Sequence, residues 1–159
     1  MASPFPLEEL KAMNATHLSR FLQIFRTWLK RERKELSVLL ERGLPAISLC
    51  EHNSLSTAYA NDRDPYAVFA QQLSVLGSHG DTLIVLTTSG NSKNCLYAAT
   101  VAKAYGINVI SITGESGGKI SDLADVAIKL PEHETYLVQE LTLPLYHYLC
   151  AALEKHFFS

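Results

Sequence analysis

The sequence predicts an α/β fold, a mainly parallel sheet of at least four strands flanked by helices. Three observations carry this expectation. From Thr82 onward, short apolar runs alternate with segments of helical periodicity, the pattern that βαβ units produce. The strand, helix and strand between Thr82 and Ile112 fit a single right-handed crossover with parallel strands. And with 159 residues, 47% apolar and 19% charged, the chain is large enough to bury one core and too apolar to stay unfolded.

Residues 1–43 read as an N-terminal helical segment and 44–159 as the α/β core of a single domain. In the first, Leu18, Phe21, Leu22, Phe25, Trp28 and Leu29 recur at three- and four-residue spacing and form one apolar stripe. Asn14-Ala15-Thr16 would cap a second helix within it, and Gly43 would end it. Ala46-Ile47-Ser48-Leu49-Cys50, between Pro45 and the polar Glu51-His52-Asn53, reads as a buried strand. Asn61-Asp62-Arg63-Asp64-Pro65 is turn chemistry, with Pro65 suited to the first turn of a helix running to about Leu76. Strands are then expected at Thr82–Leu86, Ile107–Ile112 and Val126–Leu130. The expected helices are Ser92–Tyr105, a short one after Gly118, and a last amphipathic one from Thr135 to Phe157.

Charge and cysteine usage exclude several classes. Fourteen basic residues against sixteen acidic ones leave a formal net charge of -2. The run Lys30-Arg31-Glu32-Arg33-Lys34 reads as a solvated helix face, too small a footprint for a nucleic-acid partner. Cys50, Cys95 and Cys150 lack metal-ligand spacing and read as reduced, buried small hydrophobes. The first residues have neither the charged nor the apolar region of a signal peptide. No apolar run is long enough to span a membrane. A cytoplasmic protein is the expectation. His52, His79 and His133 read as surface loop or turn residues.

The chemistry concentrates in Thr87-Thr88-Ser89-Gly90-Asn91-Ser92, between a buried strand and a helix. Ligands of open α/β sheets bind beyond the carboxyl ends of strands, where this loop lies. A helix start offers unpaired N–H groups and the positive end of a dipole, which favour an anion. Four hydroxyl side chains add donors, and Gly90 lets backbone approach a phosphate. The plainer alternative is a polar turn in which Ser92 only caps the helix. The loop lacks the spacing of a Walker motif.

Thr88-Ser89-Gly90-Asn91-Ser92 after an apolar strand, with Ser111-Ile112-Thr113-Gly114 about twenty residues later, resembles the SIS (sugar isomerase) domain. The nearest branch is the phosphoheptose (sedoheptulose 7-phosphate) isomerases, supported by Leu44–Leu49, Ala60-Asn61-Asp62, Gly117-Gly118-Lys119, and Val138-Gln139-Glu140-Leu141 with His147. The resemblance implies a flavodoxin-like three-layer fold and a homotetramer or homodimer with active sites shared between subunits. It also implies a phosphate held by Thr87, Thr88, Ser89 and Ser92, and sugar hydroxyls contacted by Asp62. Gln139 and His147 would stand at the reacting carbons, with His147 a general acid/base. No cofactor is required, though in some members zinc binds at this place, and Gln139 and His147 would be two of its ligands.

The chain departs from the family at its N-terminal side. The resemblance calls for a further strand ending in a Gly-Asn-Gly-Gly-Ser loop, then a helix with a His and, four residues on, a catalytic Glu. The sequence of residues 1–44 offers no candidate strand and no such glycine loop. Asn14-Ala15-Thr16-His17 matches the start of that helix, but Phe21 stands where the Glu belongs, and Glu32 and Glu35 are out of register. Three readings stay open: a phosphosugar isomerase, a non-catalytic sugar-phosphate sensor or oligomeric scaffold of the replication-initiator-associating type, and a lyase-type enzyme on amino-sugar phosphates.

Overall fold

A computed structural model describes Thr27 and residues 38–158. The stripe at 18–29, His17, Phe21, Glu32 and Glu35 therefore lie outside the described residues. The chain divides into two compact units, Met1–Pro45 and Ala46–Ser159. In the first, Val38 and Leu39 are helical and exposed.

The second unit is built from α1 (Asn53–Asp62), a 3-10 turn (Pro65–Ala67), α2 (Val68–Leu76), β1 (Thr82–Leu86), α3 (Lys93–Tyr105), β2 (Asn108–Thr113), α4 (Ile120–Leu123), β3 (Val126–Lys129) and α5 (Thr135–Phe158). The strands lie in the order β1-β2-β3, all parallel, with Leu83 opposite Val109 and Ile112 opposite Ile128. This is the α/β fold expected. Val68 and Leu73 on the inner side of α2, and Ala98, Ala99 and Ala102 on α3, are buried. Small side chains let α3 lie close to the sheet, where Ala99, Ala102, Val85, Val109, Ile107 and Ile120 make the main core cluster. A second cluster forms on Ile112, Leu130 and Val138, with Ile128, Leu145 and Leu149 packed on it.

Two expectations fail. Ala46–Cys50 is no strand: it runs irregularly into a turn at Leu49–Cys50 and is exposed except at half-buried Leu49. An apolar run becomes a strand only if a neighbour completes its ladder, and among the described residues β1 pairs with β2 alone. The described residues hold three strands, and Leu49 is instead held by the Gln72 amide, which donates to its carbonyl at 2.9 Å. The second failure concerns the thiols: Cys50 and Cys150 are exposed and only Cys95 is partly buried. Cys50 follows the unladdered run, and Cys150 lies on an outward face of α5.

One helix was not foreseen. Residues 53–62 form α1, so Asp62 is the last residue of a helix and the turn begins at Arg63. Asp64 then caps the 3-10 turn by accepting the Tyr66 N–H at 2.9 Å, with Pro65 at its first position.

Candidate functional site

The loops after β1, β2 and β3 meet at the carboxyl end of the sheet and are tied to one another. The Gly114 N–H donates to the Thr88 carbonyl at 2.9 Å, and the Glu115 N–H to the Glu132 carbonyl at 2.9 Å. Asn91 makes the third tie: its Oδ1 accepts the Lys119 N–H at 3.1 Å while its Nδ2 donates to the Ser89 carbonyl at 2.9 Å. Gly90 is the point of closest approach. Its φ of +67° is in the left-handed region, and a Cβ there would sit 2.0 Å from the Gly117 carbonyl oxygen. Gly118 is equally crowded, its Cβ position lying 2.3 Å from the Ser89 carbonyl oxygen.

The hydroxyls decide what the loop can do. Ser92 is the N-cap residue of α3, yet its side chain makes no capping hydrogen bond. It shares a hydrogen bond of 3.0 Å with the Thr87 hydroxyl instead. The Ser89 hydroxyl accepts the Asn91 N–H at 3.2 Å. Thr87, Thr88, Ser89 and Ser92 line one cavity of about 480 Å³, together with Asn94 and Cys95 from α3, Phe69 from α2, and His133 and Thr135. A hydroxyl pair, a helix N-terminus and a glycine turn around an open cavity can hold a tetrahedral oxyanion.

Lys93 opens α3, where the helix dipole disfavours a cation. Its ammonium lies 4.6 Å over the Tyr66 ring and 5.3 Å over that of Tyr97. The Tyr97 phenol, by hydrogen bonding, holds Lys93 above the ordinary lysine range, with Asp64 and Tyr66 adding to the effect. Burial, with a smaller contribution from the neighbouring Cys50, pushes the Cys95 thiol up, so in the cavity Cys95 is a neutral thiol.

The other expected site residues stand elsewhere. Asp62 is exposed at the end of α1, and its carboxylate accepts a hydrogen bond from the Asn61 amide at 2.7 Å. Gln139 and His147 are exposed on α5, the His147 ring edge-on to Tyr146 at 4.7 Å. None of the three lines the cavity. The inward face of α5 carries Val138, Leu145 and Leu149, which turns positions 139 and 147 away from the sheet. Gln139 and His147 by themselves would leave a zinc ion short of ligands. They supply one imidazole and one weak amide donor, and no third His, Cys, Asp or Glu gathers with them among the described residues.

Phe69, Leu86, Asn94, Cys95, His133 and Thr135 line the cavity without having been among the expected site residues. Phe69 fell within the helix expected after Pro65, and His133 read only as a surface loop or turn residue. The signal for His133 was its place just past the carboxyl end of a parallel strand, the rule already applied to Thr87–Ser92.

Residues 66–153 match the family model described as the SIS domain. A phosphoheptose isomerase of Helicobacter pylori (strain P12) is 44% identical over 119 residues, covering 75% of this chain and 62% of that protein. One from Thermodesulfovibrio yellowstonii is 37% identical over 146 residues, 92% of this chain and 69% of the relative. A solved phosphoheptose isomerase from Francisella tularensis superimposes with a TM-score of 0.70 at 33% identity, covering 72% of this chain and 62% of that one. The chain thus spans about three fifths of the length of the Helicobacter relative.

Proposed function

We propose that this chain, which belongs to the SIS-domain family and within it to the phosphoheptose isomerase branch, binds a phosphorylated sugar of the sedoheptulose 7-phosphate type. The observation that carries this is the Thr87–Ser92 loop: its Ser92 hydroxyl is spent on Thr87 rather than on capping, at a cavity roomy enough for a sugar phosphate. The phosphate accepts hydrogen bonds from Thr87, Thr88, Ser89, Ser92 and the first turn of α3. Asp62 contacts sugar hydroxyls. The protein is cytoplasmic and works as a homodimer or homotetramer without a required cofactor.

Turnover is a separate matter from binding. Aldose–ketose isomerisation moves a proton between adjacent carbons through an enediol and calls for acid/base groups at carbon and at oxygen, each contributing about 10²–10⁴-fold. Gln139 and His147 lie outside the cavity of their own chain, so they reach a reacting carbon only when another copy supplies them. Phe21 stands where the family carboxylate belongs. Sedoheptulose 7-phosphate turnover is therefore expected to fall at least about a hundredfold below a complete family enzyme. That same departure favours the second reading, a sugar-phosphate sensor or oligomeric scaffold.

Titration calorimetry and a coupled isomerase assay test both parts. Ser89→Ala with Ser92→Ala should weaken sedoheptulose 7-phosphate binding by about 1–3 kcal/mol, through lost hydrogen bonds to a charged group. Unchanged affinity would place the phosphate elsewhere. A full family rate abolished by His147→Ala would overturn the expected impairment, and a trace rate indifferent to it would favour the sensor or scaffold.

A further inference from the structure

We propose that His133 is a catalytic residue of this chain, the imidazole that exchanges a proton with the sugar carbon next to the carbonyl. The inference rests on the sugar-phosphate reading of the cavity and assigns a role that the resemblance to the family does not supply. Among the described residues, the side chains lining the cavity include two that can ionise, Cys95 and His133. Cys95 is held as a neutral thiol by burial. Of the two, His133 carries the imidazole, the side chain that most often serves as a general acid and base.

The placement of His133 follows from its own chain. The residue before it, Glu132, is fixed twice: its N–H donates to the Leu130 carbonyl at 2.8 Å and its carbonyl accepts from Glu115 at 2.9 Å. The residue after it, Glu134, starts α5 by accepting the Val138 N–H at 3.0 Å. Glu115 follows Gly114, whose N–H is bonded to Thr88 in the phosphate loop. The backbone on either side of His133 is thereby referenced to the hydroxyls that would hold the phosphate. Beside the imidazole, Glu134 Oε1 lies 3.7 Å from Nε2.

The step balances with one imidazole and solvent. With the phosphate on the Thr87–Ser92 hydroxyls, the rest of the sugar occupies the cavity that His133 also lines. The neutral imidazole removes a proton from C1 of the ketose. The C–H electron pair forms the C1–C2 double bond, and the carbonyl π pair moves to O2, which takes a proton from water. The imidazolium then returns its proton to C2 as O1 loses its own to water and the C1 carbonyl forms. No oxidant, reductant or metal is involved.

His133→Gln and His133→Ala, beside the wild type and Ser89→Ala/Ser92→Ala, test the assignment. The readouts are calorimetric affinity for sedoheptulose 7-phosphate and proton NMR of the sugar in D2O, which follows exchange of the hydrogen next to the carbonyl. The exposed side chain can be removed without unfolding the protein, which melting curves check. Both His133 variants should bind within about threefold of the wild type and exchange at least about a hundredfold more slowly. Added imidazole should restore exchange to His133→Ala, a rescue that a purely structural role would not give. Exchange as fast in His133→Gln as in the wild type, no exchange in the wild type, or a loss confined to affinity would each overturn the assignment. Failure of the sugar-phosphate reading is distinct: the wild type would not bind, or Ser89→Ala/Ser92→Ala would bind as well as it does.

Discussion

Gly90 carries more of the site than any hydroxyl, because it lets two loops touch. Its left-handed φ and the 2.0 Å gap from its Cβ position to the Gly117 carbonyl oxygen leave no room for a side chain. Gly90→Ala must either distort the turn or push the 114–118 loop away. It is expected to cost at least about 1–3 kcal/mol of stability, from the backbone strain alone. Phosphosugar affinity should fall in the same variant, since Ser89 and Ser92 flank the turn. Chemical denaturation and calorimetry on one preparation would show both, and wild-type stability in Gly90→Ala would mean the loops are not locked as described.

Among the elements, the start of β3 is joined to α3 and β2 through one carboxylate. Asp125 accepts the Lys103 ammonium at 2.6 Å and the Val109 N–H at 2.8 Å. The hydrogen bond from Lys103 comes first, then that from Val109, in holding its carboxyl below the usual carboxylate range. A depressed folded pKa means that the contribution is fully present above the unfolded value of about 3.9 and is lost as pH falls through the lower folded value. Asp125→Asn should therefore lower the melting temperature at pH 7, with the difference from wild type closing as pH falls through the depressed folded value. A difference that persists undiminished at pH 2 would assign the effect to packing rather than to charge.

At the scale of the whole molecule, the largest feature is apolar surface left open. Tyr136, Tyr148 and Phe157 on α5 are 65%, 70% and 51% exposed, and Ile84 and Leu86 on β1 are about half exposed. Exposed large apolar side chains are common at association surfaces in folded proteins. The expected state is a homodimer or homotetramer at micromolar concentration, and Tyr148→Lys should shift it toward smaller species in light scattering. A monodisperse wild-type monomer would count against it. Association would also supply what one chain does not, a Gln139 and a His147 facing the cavity of another copy.

The alternation of strands and helices from Thr82 to Phe158 was legible because period and punctuation are local properties of the chain. Ser92 and Gly106 bracket α3, and the β2 and β3 boundaries fall within a residue of expectation. The Thr87–Ser92 loop at the carboxyl end of β1 was legible for the same reason: hydroxyls, a glycine and a helix start are contiguous in sequence. Three things were decided by tertiary structure alone. Ala46–Cys50 had the composition of a strand, but hydrogen-bond ladders are made between chain segments, and no described neighbour offers one. Gln139 and His147 had a spacing that puts them near one helix face. Which face turns inward was set by Val138, Leu145 and Leu149 meeting Ile112 and Leu130. His133 looked like a turn residue until the loop after β3 came to line one cavity with the Thr87–Ser92 loop. A sequence states which residues are neighbours along the backbone, whereas a site made across loops depends on distances that only the packed sheet sets.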